Sequence, residues 1–118
     1  MNFGITTDHV DGAVVIALTG EVDLYTAPEL KGELVRVIEE GADRVVVDTT
    51  GTTFIDSTTL GVLVGGLKRL RPSGGQLVLV ITDSHIRKIF DITRLDRVFP
   101  IYECREAAIT SLAAGARR

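Results

Sequence analysis

Hydrophobic residues along this chain fall either in short continuous runs or in stretches where they recur every three to four positions. The continuous runs are rich in valine and isoleucine, which is typical of strands covered on both faces of a sheet. Asp11-Gly12 lies between the first two runs and predicts a hairpin turn. The predicted strands are residues 3–8, 14–19, 45–47, 76–81 and 98–102.

The stretches with helical periodicity predict about four helices, which begin near residues 26, 57, 84 and 105. Thr26 and Glu29 match the capping box, in which a threonine and an acid three positions later satisfy free N–H groups at a helix start. Asp83 or Ser84 is a suitable cap for the third helix.

The elements follow the order β-β-α-β-α-β-α-β-α, an initial hairpin and then repeated β-α-β units. This order predicts an α/β fold with one mixed sheet of about five strands, parallel in its later part. A length of 118 residues suits one domain, so we expect a single domain over residues 1–118, with residues 112–118 as a frayed tail.

Composition and charge exclude several classes of protein. The formal net charge of −3 does not indicate a basic face of the kind that binds nucleic acid. No apolar run approaches the roughly 18 residues of a transmembrane helix. A single cysteine, Cys104, leaves no disulfide framework or thiolate metal site. We therefore expect a cytoplasmic protein without a metal site or direct membrane contact.

The segment from residue 45 to residue 63 carries the most informative chemistry. Residues 49–53 hold four threonines and a glycine, and we interpret them as a loop that follows a buried strand. In open α/β folds the carboxyl ends of parallel strands are where ligands bind. Alternatively, these hydroxyls satisfy local backbone groups, as in a turn. The sequence leaves both interpretations open.

Ser57 stands at the predicted start of the second helix and has two interpretations. Serine is a common N-cap, because its oxygen accepts a hydrogen bond from a free N–H group. However, the position three residues later holds Leu60 instead of the acid of a capping box, which leaves the helix N-terminus free to meet a phosphate. Ser57 is therefore a candidate anion-accepting position.

Three glycines lie within this predicted helix, at Gly61, Gly65 and Gly66. Each costs about 1 kcal/mol relative to alanine in a helix interior. Gly61 and Gly65 are four positions apart, so they fall on one side of the helix. Either another element of the chain packs closely against this side, or a partner does.

Residues 48–63, DTTGTTFIDSTTLGVL, resemble the signature of STAS-domain anti-sigma factor antagonists, bacterial proteins that are also called anti-anti-sigma factors. The resemblance covers nearly the whole chain. It includes residues 20–23, GEVD, before the first helix, Gly74-Gly75 before a strand, and residues 95–100, LDRVFP, near the end. It implies a STAS-like α/β fold and a role in transcription regulation.

The resemblance also implies a phosphorylation switch. In such proteins, an anti-sigma factor that is itself a serine kinase phosphorylates the serine that follows the aspartate. The unphosphorylated form binds this kinase and frees a sigma factor, the phosphorylated form lets go, and a phosphatase restores binding. Ser57 matches the phosphoacceptor, Asp56 precedes it, and Asp23 matches an acidic residue that lies close to the acceptor and helps to engage the kinase.

On the same grounds, Asp56, Thr58, Thr59 and Gly61 are expected to contact the partner. ATP would be bound by the kinase, so the resemblance implies that this chain is not an enzyme and needs no cofactor. Its partners would be the anti-sigma factor with serine kinase activity and the phosphatase that acts on phosphorylated Ser57, and not nucleic acid.

The sequence departs from the family pattern in three places. Thr58-Thr59 replaces the commoner Ser-Gly or Thr-Gly after the acceptor, which adds neighbouring hydroxyls that could take the phosphate. Arg94 occupies a place where the family often has glycine. Cys104 stands where the last helix is usually capped by serine, threonine or aspartate.

Two alternatives give the chain a different function. Some STAS domains are subunits of transporters or of signalling scaffolds, in which phosphorylation is secondary. A small nucleotide-binding or hydrolysing enzyme is the second alternative. The chain has no Walker-type phosphate loop, and Ser57 lies in no Gly-x-Ser-x-Gly elbow, which argues against the enzyme.

Overall fold

The computed structural model describes residues 3–116. Its elements follow the predicted order, with two short 3₁₀ turns in addition. In chain order they are β1 (Gly4–Val10), β2 (Ala13–Val22), α1 (Ala27–Glu39), β3 (Arg44–Ile55), α2 (Ser57–Leu70), a 3₁₀ turn (Arg71–Ser73), β4 (Gln76–Val80), α3 (Ser84–Ile92), a 3₁₀ turn (Leu95–Arg97), β5 (Ile101–Tyr102) and α4 (Arg105–Ala116).

The five strands form one mixed sheet in the order β1-β2-β3-β4-β5. β1 and β2 pair antiparallel, and the other three pairs are parallel. Asp11 and Gly12 both have positive φ, 51° and 82°, as a two-residue hairpin turn requires. The predicted hairpin, mixed sheet and four helices are confirmed.

The sheet has a hydrophobic core on each face, which explains why its central strands are almost continuously apolar. Successive side chains of a strand point to opposite faces. In β3, Val45 and Val47 contribute to the core under α1, α2 and α3, whereas Val46 contributes to the core under α4. In β2, Ile16 and Val15 divide in the same way.

The threonine-rich segment is strand and not loop, so the predicted loop at residues 49–53 is wrong. β3 continues to Ile55, and its second half pairs with β2 through an irregular register. Thr49 Oγ1 donates to the Val80 carbonyl at 2.8 Å, and Thr52 Oγ1 donates to the Leu18 carbonyl at 3.3 Å. Both threonines are buried. Their burial is tolerated because carbonyl groups of the neighbouring strands accept hydrogen bonds from their hydroxyls.

The end of the chain also differs from the prediction. The last strand is only Ile101–Tyr102, since the 3₁₀ turn before it keeps Val98 in helical conformation. α4 extends through Ala116, and Leu112 is buried against the sheet, so the helix covers residues 112–116 of the expected tail, whose fraying stays a prediction. Residues 117 and 118 lie outside the described residues.

Arg94 enters that 3₁₀ turn with a φ of 65°. This is the left-handed region, which glycine adopts without steric cost and arginine does not. The glycine that the resembled family often has at this place therefore fits the backbone, and Arg94 occupies it with strain.

None of the helices within residues 3–116 is long and apolar enough to span a membrane.

Candidate functional site

The start of α2 is capped by Asp56 and not by Ser57. Asp56 has extended backbone angles, and its Oδ1 accepts a hydrogen bond from the Thr59 N–H at 3.2 Å. Ser57 is therefore the first helical residue, and its side chain is exposed at the surface. The interpretation of Ser57 as the N-cap is wrong, because the carboxylate of Asp56 caps the helix.

Thr59 fixes the start of α2 to the sheet. Its side chain is 1% exposed, and Oγ1 donates to the Val22 carbonyl at 2.8 Å. The expectation that Thr59 contacts a partner does not fit this position, since the hydroxyl is buried and already bonded within the chain. Thr58, by contrast, is half-buried, and Gly61 is exposed one turn after Ser57.

Asp23 and Asp56 leave the sheet next to each other. Val22 and Ile55 are partners in the parallel pair β2–β3, and the two aspartates follow them directly. Neighbouring strands are about 4.8 Å apart. The sheet thus brings Asp23, Asp56 and Ser57 together at its carboxyl edge.

Asp23 also organises the connection between β2 and α1. Its Oδ1 accepts hydrogen bonds from the N–H groups of Tyr25 at 2.9 Å and Thr26 at 3.2 Å. The predicted capping box does not form, because Thr26 Oγ1 donates to the Glu21 carbonyl and accepts from the Asp23 N–H instead. The connection is therefore a tight turn built around a carboxylate.

Three large apolar side chains near the ends of β2 and β3 are exposed, and sequence reasoning missed them. Leu24, Tyr25 and Phe54 are 61%, 85% and 48% exposed. Phe54 pairs with Glu21 in the sheet, which brings it beside the turn that carries Leu24 and Tyr25. The available signal was that Leu24-Tyr25 lies between a strand end and a helix start, outside both periodic patterns.

We call these residues the Ser57 surface, made of Asp23, Leu24, Tyr25, Phe54, Asp56 and Ser57. It combines exposed apolar area, two carboxylates and a free hydroxyl on one edge of the sheet. Exposed apolar side chains grouped together mark interaction sites in soluble proteins.

Within residues 3–116, no three His, Cys, Asp or Glu side chains come together as a metal site requires.

Comparisons with known proteins agree with this geometry. The family model for the STAS domain matches residues 4–108. An anti-sigma-B factor antagonist of Staphylococcus epidermidis is 36% identical over 106 residues, which cover 90% of this chain and 98% of the relative. The anti-sigma-B factor antagonist of Bacillus subtilis is 32% identical over 109 residues, 92% of this chain and 99% of the relative.

A solved structure supports the same assignment. The crystal structure of an anti-sigma factor antagonist from Mycobacterium paratuberculosis superposes with a TM-score of 0.82 and 26% identity, and the match covers 93% of each chain. The family membership that residues 48–63 predicted is confirmed. Because the family model and the relatives match nearly the full length, this chain belongs to the STAS-domain family of anti-sigma factor antagonists.

Proposed function

We propose that this chain is a cytoplasmic anti-sigma factor antagonist that is switched by phosphorylation of Ser57. Its unphosphorylated form binds an anti-sigma factor with serine kinase activity, and this binding releases a sigma factor. The kinase binds ATP and transfers the γ-phosphoryl group of ATP to the Ser57 hydroxyl, which releases ADP, and a phosphatase later removes the phosphate by hydrolysis. The chain itself performs no catalysis.

The observation that carries this proposal is the position of the Ser57 hydroxyl. Capping by Asp56 leaves it exposed at the first residue of α2, where a kinase can reach it. The two neighbouring hydroxyls are less accessible, because Thr58 is half-buried and Thr59 is buried and bonded to Val22. Ser57 is accordingly the acceptor that we propose among the three.

Electrostatics explains how the phosphate would end binding. Phosphorylation adds about −1.5 to −2 charges at neutral pH. A unit charge 4 Å from another interacts by about 4 kcal/mol at an effective dielectric constant of 20. Opposed to a carboxylate of the partner, such a repulsion lowers affinity by roughly a thousandfold. Asp23 and Asp56 add to the negative charge of this surface. Because the repulsion acts directly on the partner, the domain can release it without refolding.

The test incubates the purified chain with ATP and each serine-kinase anti-sigma factor encoded in the same genome. Mass spectrometry then locates the phosphate. We expect one phosphate on Ser57 and no phosphate on the Ser57→Ala variant. In the Thr58→Val variant, which removes only the neighbouring hydroxyl, we expect the phosphate still to lie on Ser57. Ser57→Asp should weaken kinase binding by a factor of ten or more, by the same electrostatic argument.

Phosphate on Thr58 in the unaltered chain would overturn the assignment of the acceptor. Recovery of this chain as a stable subunit of a membrane transporter, without phosphorylation by any of these kinases, would favour the scaffold alternative instead.

A further inference from the structure

A groove runs between α1 and α2 on the face of the sheet that carries three helices. It encloses about 450 Å³. Its apolar lining includes Leu34 and Val35 from α1 and Val62 from α2. This volume lies beside the hydrophobic core and is open to the surface, so apolar side chains of another molecule can enter it.

Two of the three glycines of α2 hold this groove open. A Cβ atom at Gly66 would lie 3.2 Å from Leu34 Cδ1 and 3.3 Å from Leu77 Cδ1, so internal packing accounts for Gly66. A Cβ atom at Gly61 or Gly65 would have no heavy atom from outside its own helix within 4 Å, among the residues that the structure describes. Internal packing therefore does not require these two glycines, although they weaken the helix.

Positive charge is concentrated at the rim of the groove. Lys31 of α1 and Lys68 and Arg69 of α2 line it, and no carboxylate from the described part of the chain does. Within residues 3–116, these three side chains form no ion pair. A chain with a net charge of −3 thus presents a cationic rim over an apolar floor at this place.

On α2 the lining of the groove begins at Gly61, four residues after Ser57. Ser57, Gly61 and Gly65 are spaced by four residues, so they lie one above another on the same side of α2. From Gly61 to Arg69 the groove follows α2 for roughly 12 Å, about two helical turns. A partner that engages Ser57 can therefore extend along the groove without leaving α2.

We infer that the groove receives an acidic amphipathic helix of the anti-sigma partner. Its apolar face would pack over Val62 and the open positions at Gly61 and Gly65, where missing side chains permit close approach. Its carboxylates would face Lys31, Lys68 and Arg69. A helix laid in a groove with apolar anchors and charged flanks is a common mode of peptide recognition. This inference rests on the proposed function, because it extends the binding surface of the same partner.

The first experiment fills the groove without unfolding α2. The probe is the purified anti-sigma kinase that phosphorylates Ser57, and its affinity for the full chain is measured by calorimetry. Gly65→Leu should weaken binding by about tenfold or more, as expected for a residue at the centre of an interface. The matched control is Gly32→Leu, since Gly32 is exposed on α1, lies outside the groove and also has open space at its Cβ position.

The second experiment tests the charge of the occupant. Lys68→Glu combined with Arg69→Glu should reduce the association rate by about tenfold and weaken its dependence on salt, because favourable charges at an interface steer association. Lys88→Glu on α3 is the control and should leave the rate unchanged. A photocrosslinker at position 62 should attach to an acidic helical segment of the kinase, located by mass spectrometry.

The possible failures are distinguishable. If the kinase binds and phosphorylates Ser57 but the Gly65→Leu variant binds as tightly as the unaltered chain, the groove inference is wrong and the proposed function stands. A crosslink to a basic or non-helical segment would likewise overturn the groove inference. If no serine-kinase anti-sigma factor binds or phosphorylates the chain, the proposed function is wrong, and the inference fails with it.

Discussion

Three consecutive hydroxyl side chains at the start of α2 lie in three different environments. Ser57 is exposed, Thr58 is half-buried, and Thr59 is buried with its Oγ1 donating to the Val22 carbonyl. Within a single helical turn, one hydroxyl is therefore accessible to solvent and another is bonded to the sheet. Thr59 holds the helix start in place, and Ser57 is left available for chemistry.

The support given by Thr59 can be measured by removing only its hydroxyl. Thr59→Val keeps the shape but leaves the Val22 carbonyl without this donor, and an unsatisfied buried group costs about 1–3 kcal/mol. We expect urea denaturation to show a loss of free energy of unfolding in this range. Thr58→Val makes the same chemical change next to it and should alter stability by less than about 0.5 kcal/mol. Equal losses for both variants would contradict the assigned role of Thr59.

The sequence predicts where α2 begins but does not identify Asp56 as its capping residue. Aspartate and serine are equally good caps, so composition does not decide between Asp56 and Ser57. The decision comes from the strand before the helix. β3 stays extended through Ile55, which gives Asp56 the extended conformation of a cap and makes Ser57 the first helical residue.

At the scale of elements, the strands and helices were predictable where hydrophobic periodicity marks them. The second half of β3 was not, because threonine and glycine are as typical of turns as of strands. Its pairing depends on contacts remote in sequence. Thr52 bonds to Leu18, and a Cβ at Gly51 would lie 2.8 Å from Thr19 Cγ2, so glycine permits the close approach of β2 and β3.

The apolar part of the Ser57 surface was missed for a related reason. Leu24, Tyr25 and Phe54 belong to two segments that are about thirty positions apart, and only the register of β2 against β3 joins them. The position of Leu24-Tyr25 outside both periodic patterns is a signal for that pair, but Phe54 stands next to an apolar residue and is not distinguished from a core residue in a single sequence. Their exposure becomes visible only when the sheet is assembled.

Helix α1 is linked to the edge strand β1 by a hydrogen-bonded carboxylate. Glu33 accepts hydrogen bonds from Arg36 and from the Thr7 hydroxyl, and these bonds, that from Arg36 most strongly, lower the pKa of Glu33 from 4.5 to about 2. A carboxyl group whose pKa is lower in the folded state stabilises the fold above its unfolded pKa. This contribution is lost as the pH falls from about 4.5 through about 2.

We therefore expect Glu33→Gln to reduce the pH dependence of stability in acid. At pH 7 the variant should unfold at a lower urea concentration than the unaltered chain, and the two midpoints should converge as the pH approaches 2. Glu39→Gln, a change at an exposed glutamate of the same helix, is the control and should keep the original pH dependence. A constant difference between the Glu33→Gln variant and the unaltered chain from pH 7 to pH 2 would refute this assignment.

For the whole molecule, the junction at Arg105 connects the last helix with the central strand β3 and the edge strand β1. Arg105 donates to Asp48 Oδ2 through Nε at 3.1 Å and Nη2 at 3.0 Å, and it approaches Asp8 of β1 at 3.9 Å. Asp48 is buried in the central strand, and its other oxygen accepts from the N–H and hydroxyl of Thr50. This pair fixes α4 on the sheet face opposite the groove.

The coupling between Asp48 and Arg105 should therefore exceed that of a surface ion pair. A double-mutant cycle with Asp48→Ala and Arg105→Ala, measured by urea denaturation, should give an interaction energy of about 1–2 kcal/mol, since the bonds are charge-assisted and one partner is buried. The matched control is the cycle for Arg87 and Asp91, an exposed pair four residues apart on α3, which should give about 0.3–0.5 kcal/mol. Because the junction lies on the far face, these variants should still be phosphorylated on Ser57. A loss of phosphorylation in a variant that remains folded would show that α4 influences the Ser57 surface.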